Sequence, residues 1–249
     1  MKIKLVLSLL ILSAAAAGAA AQTTDTIPSG VYSITSGKLK GSTTDLAGLK
    51  AHASTLAPGK VNHLPRALPG DEELIFVKEG ELTATAGDST KTLGPGSVIF
   101  IQAKDLQSFA NRSDQPVTYY VMTLRSKKPL DMPRGKTGGG SMLIDWKELT
   151  VKKTDKGESR AIFNRPTAFF GTLEIHATTL NGGESSHPPH QHREEEVMVL
   201  MQGKLIAHIG DKDYPVETGD LVFVRPNILH GVRNGGATPC WYYAFKWVN

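Results

Sequence analysis

The chain has 249 residues, of which 40% are apolar, and a formal net charge of +4. This composition excludes a largely disordered chain, because a sequence of this length and apolar content can bury a sizeable core. The small net charge gives no case for nucleic-acid binding. Cys240 is the single cysteine, so no intramolecular disulfide can form and stability must come from packing.

The first residues have the layout of a secretory signal peptide. Lys2 and Lys4 precede the apolar stretch 5–12, and small residues then lead up to Gln22. An apolar stretch this short cannot span a bilayer, which requires roughly 20 residues. We therefore predict a cleaved signal peptide over residues 1–21, a periplasmic or secreted mature protein, and no membrane association after cleavage.

The rest of the chain contains two copies of one pattern. Matching residues lie 123 positions apart: Gly80 and Gly203, Gly96 and Gly219, Asn111 and Asn234, Tyr119 and Tyr242. Upstream, "HASTLAPG" from His52 matches "HATTLNGG" from His176 at an offset of 124, so the copies differ by one residue between Gly59 and Glu73. We infer an internal duplication.

Each copy is composed of strand and turn patterns. "LIFVKEGELTATAGD" and "VMVLMQGKLIAHIGD" predict hairpins, and "GSVIFI" and "GDLVFV" predict short strands opened by glycine. Helical periodicity is nearly absent, which predicts an all-β chain. The predicted units are an N-terminal domain over residues 22–130, a linker rich in Lys, Pro and Gly over residues 131–145, and a C-terminal domain over residues 146–249.

A group of histidines and glutamates lies ahead of one apolar strand, in "HPPHQHREEEVMVLMQG" from residue 187. Residues two apart in a strand share a face, so His190 and His192 project together, and Glu196 has the same parity. His230 follows near the end of a later predicted strand. Three imidazoles and one carboxylate can close around one divalent ion and leave positions open for water or substrate.

Through these motifs the sequence resembles the cupin superfamily of small β-barrels. The first cupin motif, H-x-H followed by E and then G, matches His190, His192, Glu196 and Gly203. The second motif matches Gly219, Pro226, His230 and Asn234, with one more residue before the proline and without the glycine that usually follows it.

The resemblance implies two tandem cupin barrels of the double-stranded β-helix or jelly-roll type. It also implies that four residues hold one divalent metal ion in the C-terminal barrel: His190, His192, Glu196 and His230. Manganese or iron is the favoured ion, and zinc and nickel are alternatives.

The N-terminal barrel lacks an equivalent ligand set. Gln107 falls where the second copy has His230. The paired histidines of the second copy fall on Ala67 and Pro69, or on Arg66 and Leu68 in the shifted register. We therefore predict a degenerate metal site in this barrel.

The resemblance supports several functions without choosing among them. We expect an exported metal-dependent enzyme that acts on a small polar metabolite, with a dioxygenase favoured and a hydrolase or isomerase left open. The alternative is a non-catalytic protein that binds a small ligand or sugar and uses the metal structurally.

Glu194, Tyr242 and Arg225 are the candidate catalytic residues, and His187 and Tyr243 are further candidates at the barrel mouth. We also expect a homo-oligomer.

Overall fold

The computed structural model describes residues 26–249, so the predicted signal peptide lies outside the described residues. Strands dominate this range, as the alternating apolar pattern predicts. Among residues 26–249, no helix has the length and apolarity that a membrane crossing requires.

Secondary structure follows the duplication. The first half contains β1 (Gly30–Ser33), β2 (Lys40–Gly41), β3 (Leu46–Leu56), β4 (Arg66–Ala67), β5 (Glu72–Glu79), β6 (Leu82–Ala86), β7 (Ser89–Leu93), β8 (Val98–Ile101), β9 (Leu106–Ala110) and β10 (Val117–Ser126). Between the halves lie α1 (Met132–Thr137), β11 (Met142–Ile144) and a 3₁₀ helix (Trp146–Glu148). The second half contains β12 (Lys152–Thr154), β13 (Gly157–Arg165), β14 (Thr172–Leu180), β15 (Glu195–Gln202), β16 (Lys204–Ile209), β17 (Lys212–Glu217), β18 (Asp220–Val224), β19 (His230–Asn234) and β20 (Cys240–Val248).

These strands form two barrels, each made of a large and a small antiparallel sheet. The N-terminal barrel combines the orders β11-β8-β5-β10-β3-β2 and β4-β9-β6-β7. The C-terminal barrel combines β1-β18-β15-β20-β14-β13-β12 and β17-β16-β19. The prediction of an all-β chain with two tandem cupin-type barrels is confirmed.

Equivalent side chains confirm the duplication. The amide of Asn111 donates to the carbonyls of Leu56 and Gln115, and the amide of Asn234 donates to those of Leu180 and Thr238. Each asparagine thus satisfies backbone acceptors in the loop that closes its own barrel.

The barrels exchange edge strands within the chain. β1, which precedes the first barrel, pairs with β18 of the second, whereas β11 pairs with β8 of the first. Residues 131–145, predicted as a linker, therefore contain α1 and an edge strand of the first barrel. Pairing of this kind covers edges that would otherwise expose unpaired backbone groups.

A shared apolar core holds the barrels together. Side chains on the outer faces of both large sheets form one cluster, separate from the two clusters inside the barrels. Phe76 of the first barrel stacks on Tyr243 of the second, with ring centroids 4.5 Å apart. The barrels therefore pack against each other through their large sheets.

Two buried carboxylates link the barrels reciprocally. Glu195 on β15 accepts hydrogen bonds from the Thr43 hydroxyl (2.6 Å) and the Thr44 backbone N–H (2.7 Å). Glu72 on β5 accepts from the Thr167 hydroxyl (2.8 Å) and the Ala168 N–H (2.9 Å). The two contacts are related by the duplication, and each joins one barrel to the loop that precedes a strand of the other.

We expect Glu72→Gln to stabilise the protein increasingly as the pH rises. Burial raises the pKa of Glu72 to about 7, against hydrogen bonds from Thr167 and Ala168 that lower it. The folded protein therefore binds more protons here than the unfolded chain, so this carboxyl costs stability as the pH rises through that range. The free energy of unfolding of Glu72→Gln, relative to wild type, should increase by on the order of 2 kcal/mol between about pH 5 and pH 8.

Urea denaturation at several pH values measures this difference. Glu79→Gln is the matched control, because the Glu79 side chain lies on the same strand and is 70% exposed. A Glu72→Gln difference that stays constant over the pH range would contradict the expectation.

Candidate metal centre

Three histidines converge at one end of the C-terminal barrel. His190 and His230 exchange backbone hydrogen bonds of 2.9 and 2.8 Å, which places their side chains next to each other. The carbonyl of His192 accepts from the Asn227 N–H at 2.7 Å, so this residue is also held against the turn before β19. One ring nitrogen from each histidine lies within 4.8 Å of the others.

Glu196, the fourth predicted ligand, lies beside two of the three histidines. Its Oε2 atom lies 3.0 Å from Nε2 of His192 and 3.0 Å from Nε2 of His230. Two ligands bound about 2.1 Å from the same ion, with a right angle between their bonds, are about 3.0 Å apart. The distance from Glu196 to each of these two histidines therefore fits neighbouring ligands of one octahedral ion.

Backbone carbonyls fix the orientation of two imidazoles. Nδ1 of His192 lies 3.0 Å from the Glu194 carbonyl, and Nδ1 of His230 lies 2.7 Å from the Ile228 carbonyl. A carbonyl only accepts hydrogen bonds, so each Nδ1 carries a proton, and each Nε2 faces Glu196, where it can bind an ion once its own proton is displaced. Such a partner behind a histidine is the usual support of a metal ligand.

The electrostatics of the four groups also fit a cation. Burial opposes ionisation of Glu196, but hydrogen bonds with His192 and His230 hold its pKa far below the ordinary range. The hydrogen bond to Glu196 raises the pKa of His192. Burial and the neighbouring imidazoles lower the pKa of His190. A divalent ion would replace the protons shared by these groups and neutralise the carboxylate.

The four side chains open into a cavity of about 490 Å³ in the same barrel. Its wall is formed by neighbouring strands in register: Glu196 lies opposite Lys246, which lies opposite Glu174. The next positions on this wall place His176 beside Ala244. The cavity is therefore polar and large enough for a small metabolite.

The candidate catalytic residues fall in three different places. Tyr242 is buried and lines the cavity. Glu194 does not line it, but its Oε2 lies 3.4 Å from Nδ1 of His192. Arg225 lies outside it, in a surface depression with Ser29, because it follows the last residue of β18 and its side chain is exposed.

The two further candidates also differ. His187 is exposed and lines the cavity, with its ring centroid 4.3 Å from that of His190. Tyr243 points to the opposite face of β20, where its hydroxyl donates to the Gly96 carbonyl of the first barrel. Tyr243 thus belongs to the shared core and not to the cavity.

Sequence reasoning missed His176 and Glu174 as site residues. Both line the cavity from β14, with His176 Nδ1 3.9 Å from Glu174 Oε1. The available signal was their shared parity in "TLEIHATTL", which places them on one face of a strand. That signal does not say which face is the interior.

The structure decides which of the two alignments relates the N-terminal barrel to the paired histidines of the C-terminal barrel. Arg66 pairs with Gln107, as His190 pairs with His230 in the other barrel. Arg66 and Leu68 therefore occupy the histidine positions. Glu73 keeps its place but accepts a hydrogen bond of 2.9 Å from the Gln107 amide.

Comparisons with known proteins agree with the fold and the duplication. The profile of the cupin domain family matches residues 53–123 and again residues 177–245. The (S)-ureidoglycine aminohydrolase of Arabidopsis thaliana is 27% identical over 191 residues, which cover 72% of this chain and 58% of that protein. The chain thus spans less than two thirds of the length of this curated relative.

Two solved structures share the architecture at low sequence identity. The glyoxylate-induced protein of Pseudomonas aeruginosa has a TM-score of 0.66 at 17% identity, covering 91% of this chain and 84% of that one. The oxalate decarboxylase of Bacillus subtilis, whose structure is described with Mn(II) centres, has a TM-score of 0.66 at 12% identity, covering 92% and 80%. At these identities the likeness concerns the fold alone.

We expect the purified chain to bind about one equivalent of a divalent metal, as one octahedral site requires. His190→Ala and His230→Ala should each lose most of it, because each removes one of the four donors. Mass spectrometry of the metal content after reconstitution measures this. His208→Ala is the matched control, since His208 lies in the same barrel but pairs with Asp213 at 2.8 Å. Equal metal content in all variants would contradict the assignment.

Proposed function

This chain belongs to the cupin family, and on that premise we propose that it is an exported, metal-dependent enzyme that acts on a small polar metabolite. The observation that carries the proposal is a cluster of three imidazoles, two of which contact the Glu196 carboxylate, beside a polar cavity of about 490 Å³. A metal with a purely structural role would be expected in a closed site, whereas catalytic sites keep open positions.

One divalent ion is the proposed cofactor, with manganese or iron favoured. His190, His192, Glu196 and His230 would hold it, and the Mn(II) centres of the oxalate decarboxylase relative support manganese. When bound, such an ion polarises a carboxylate or carbonyl group and makes bound water more acidic.

The cavity wall supplies groups that can move protons. Burial lowers the pKa of His176, so its imidazole is neutral near pH 7 and can accept a proton. Burial raises the pKa of Tyr242 to about 12, so its hydroxyl stays protonated and acts as a hydrogen-bond donor. Glu174 lies between His176 and Lys246 and can orient either of them.

These groups favour hydrolysis over oxidation by dioxygen. Hydrolysis requires proton transfer to and from a polar substrate, which His176 can serve. The plant relative is named for a hydrolytic reaction on a small ureido acid, which supports the same reaction class here. Oxidation by dioxygen is left open by the sequence, and neither of these two observations points to it.

Export is proposed from the sequence alone. Residues 1–21 have the charge, apolar stretch and small-residue tract of a signal peptide. Cleavage before Gln22 would release the mature chain into the periplasm or the medium, where the metal centre is loaded from the ions available there.

Ammonia release by the metal-loaded mature chain tests the proposal. The substrates would be small ureido and amino carboxylates, including (S)-ureidoglycine, assayed in air and without oxygen. We expect turnover that needs the metal, is lost in His190→Ala, and is unchanged without oxygen. Oxygen-dependent turnover would contradict hydrolysis, and a metal-loaded chain that binds these compounds without turnover would favour a binding protein.

We expect His176→Gln to lower kcat by about two orders of magnitude, the usual contribution of a general acid or base. Metal content should be unchanged, because His176 is not among the four proposed ligands. His52→Gln is the matched control, since the duplication places His52 at the same position of the other barrel. A kcat within about twofold of wild type for His176→Gln would exclude a role in proton transfer.

A further inference from the structure

Most charges that line the cavity already have a partner. Glu174 pairs with Lys246 at 3.8 Å, and Glu158 pairs with Arg160 at 3.3 Å. Glu196 is balanced by the histidines and, when the ion is bound, by the metal. Among the described residues that line the cavity, Lys156 and Asp155 have no ion pair.

Lys156 is held in place although it has no carboxylate partner. Its ammonium donates to the Ser186 carbonyl at 3.4 Å, and its own carbonyl accepts from the Asn181 N–H at 2.8 Å. The ammonium has three N–H groups, so donors remain for a ligand. Ser186 directly precedes His187, so Lys156 lies beside the loop that carries the candidate ligands.

The turn that carries Lys156 belongs to a hairpin of the C-terminal barrel and has a specific backbone conformation. It joins β12 to β13, an extended hairpin that the N-terminal barrel lacks among residues 26–249, where β2 has only two residues. Gly157 has φ +145°, and a Cβ there would lie 2.1 Å from the Thr179 carbonyl oxygen. Only glycine therefore lets the turn approach β14 this closely.

The loaded cavity attracts anions. Four carboxylates and two ammonium groups line it, Arg160 neutralises one of these carboxylates, and a divalent ion adds two positive charges. With the ion bound, the lining groups and Arg160 carry a small net positive charge; Glu194, which contacts His192 without lining the cavity, is not included. Asp155 is exposed, so water screens its charge more than that of the half-buried Lys156.

We infer that the cavity takes a small molecule with two anionic ends, one bound at the metal and the other by Lys156. This inference rests on the proposed metal-dependent function and names the substrate class. Carboxylate oxygens are natural ligands for manganese or iron, and an ammonium on a fixed turn recognises a second carboxylate. Thr178 and Tyr242 also line the cavity and carry hydroxyl groups.

Calorimetry with matched acids tests this. The manganese-loaded mature chain would be titrated with succinate, glutarate and adipate, and with butyrate, valerate and hexanoate, which replace one carboxylate by a methyl group. We expect at least one diacid to bind about tenfold more tightly than its matched monoacid, the effect of one charge-assisted contact. Lys156→Gln, which removes the positive charge but keeps a side-chain N–H donor, should abolish that preference.

Two variants on the same hairpin make the test specific. Lys153→Ala removes an exposed ammonium outside the cavity and should leave the preference unchanged. Asp155→Asn should preserve or increase it. A preference that survives Lys156→Gln, or that falls in Asp155→Asn, would overturn the inference, as would the absence of any preference in the wild type. A chain that binds none of manganese, iron, zinc and nickel would instead overturn the proposed metal-dependent function.

Discussion

The alternation of side chains along β15 is the constraint on which the rest of the molecule depends. Glu195 and Glu196 are adjacent, so they must point to opposite faces of one strand. Glu195 reaches the other barrel through Thr43 and Thr44, whereas Glu196 faces the candidate metal centre. The contact that joins the barrels and the carboxylate proposed to bind the cation are therefore fixed by the same strand, and a shift of one residue would destroy both.

The two copies of the fold share their structure but differ at the position of the candidate metal centre. Glu72 repeats the inter-barrel role of Glu195, and Glu73 repeats the inward position of Glu196. The imidazoles are replaced, with Gln107 now donating to Glu73. A buried carboxylate still needs a donor, so the amide satisfies it without a metal. The N-terminal barrel then supports the C-terminal one through the shared core and the exchanged strands.

The C-terminal barrel differs from its copy mainly where the cavity is built. The histidine loop supplies the donors, and the hairpin of β12 and β13 supplies the opposite wall. Both features lie at one end of the barrel, and Lys156 connects them through Ser186. The proposed metal site and the proposed anion contact are thus parts of one arrangement that the first barrel lacks in the described range.

The sequence by itself determined the duplication and the all-β class, and it predicted the four candidate ligands. These features depend on local periodicity and fixed spacing, which can be read from the sequence without knowing any contact between distant residues. Tertiary structure alone decided which half each edge strand joins, which face of β14 is interior, and where the side chains of Arg225 and Tyr243 point. Alternation along a strand places residues such as Glu174 and His176 on the same face. Only the packing of the sheets decides whether that face lines the cavity or the shared core. That choice depends on contacts between residues far apart in the chain, as with Tyr243 and Phe76, which no local pattern encodes.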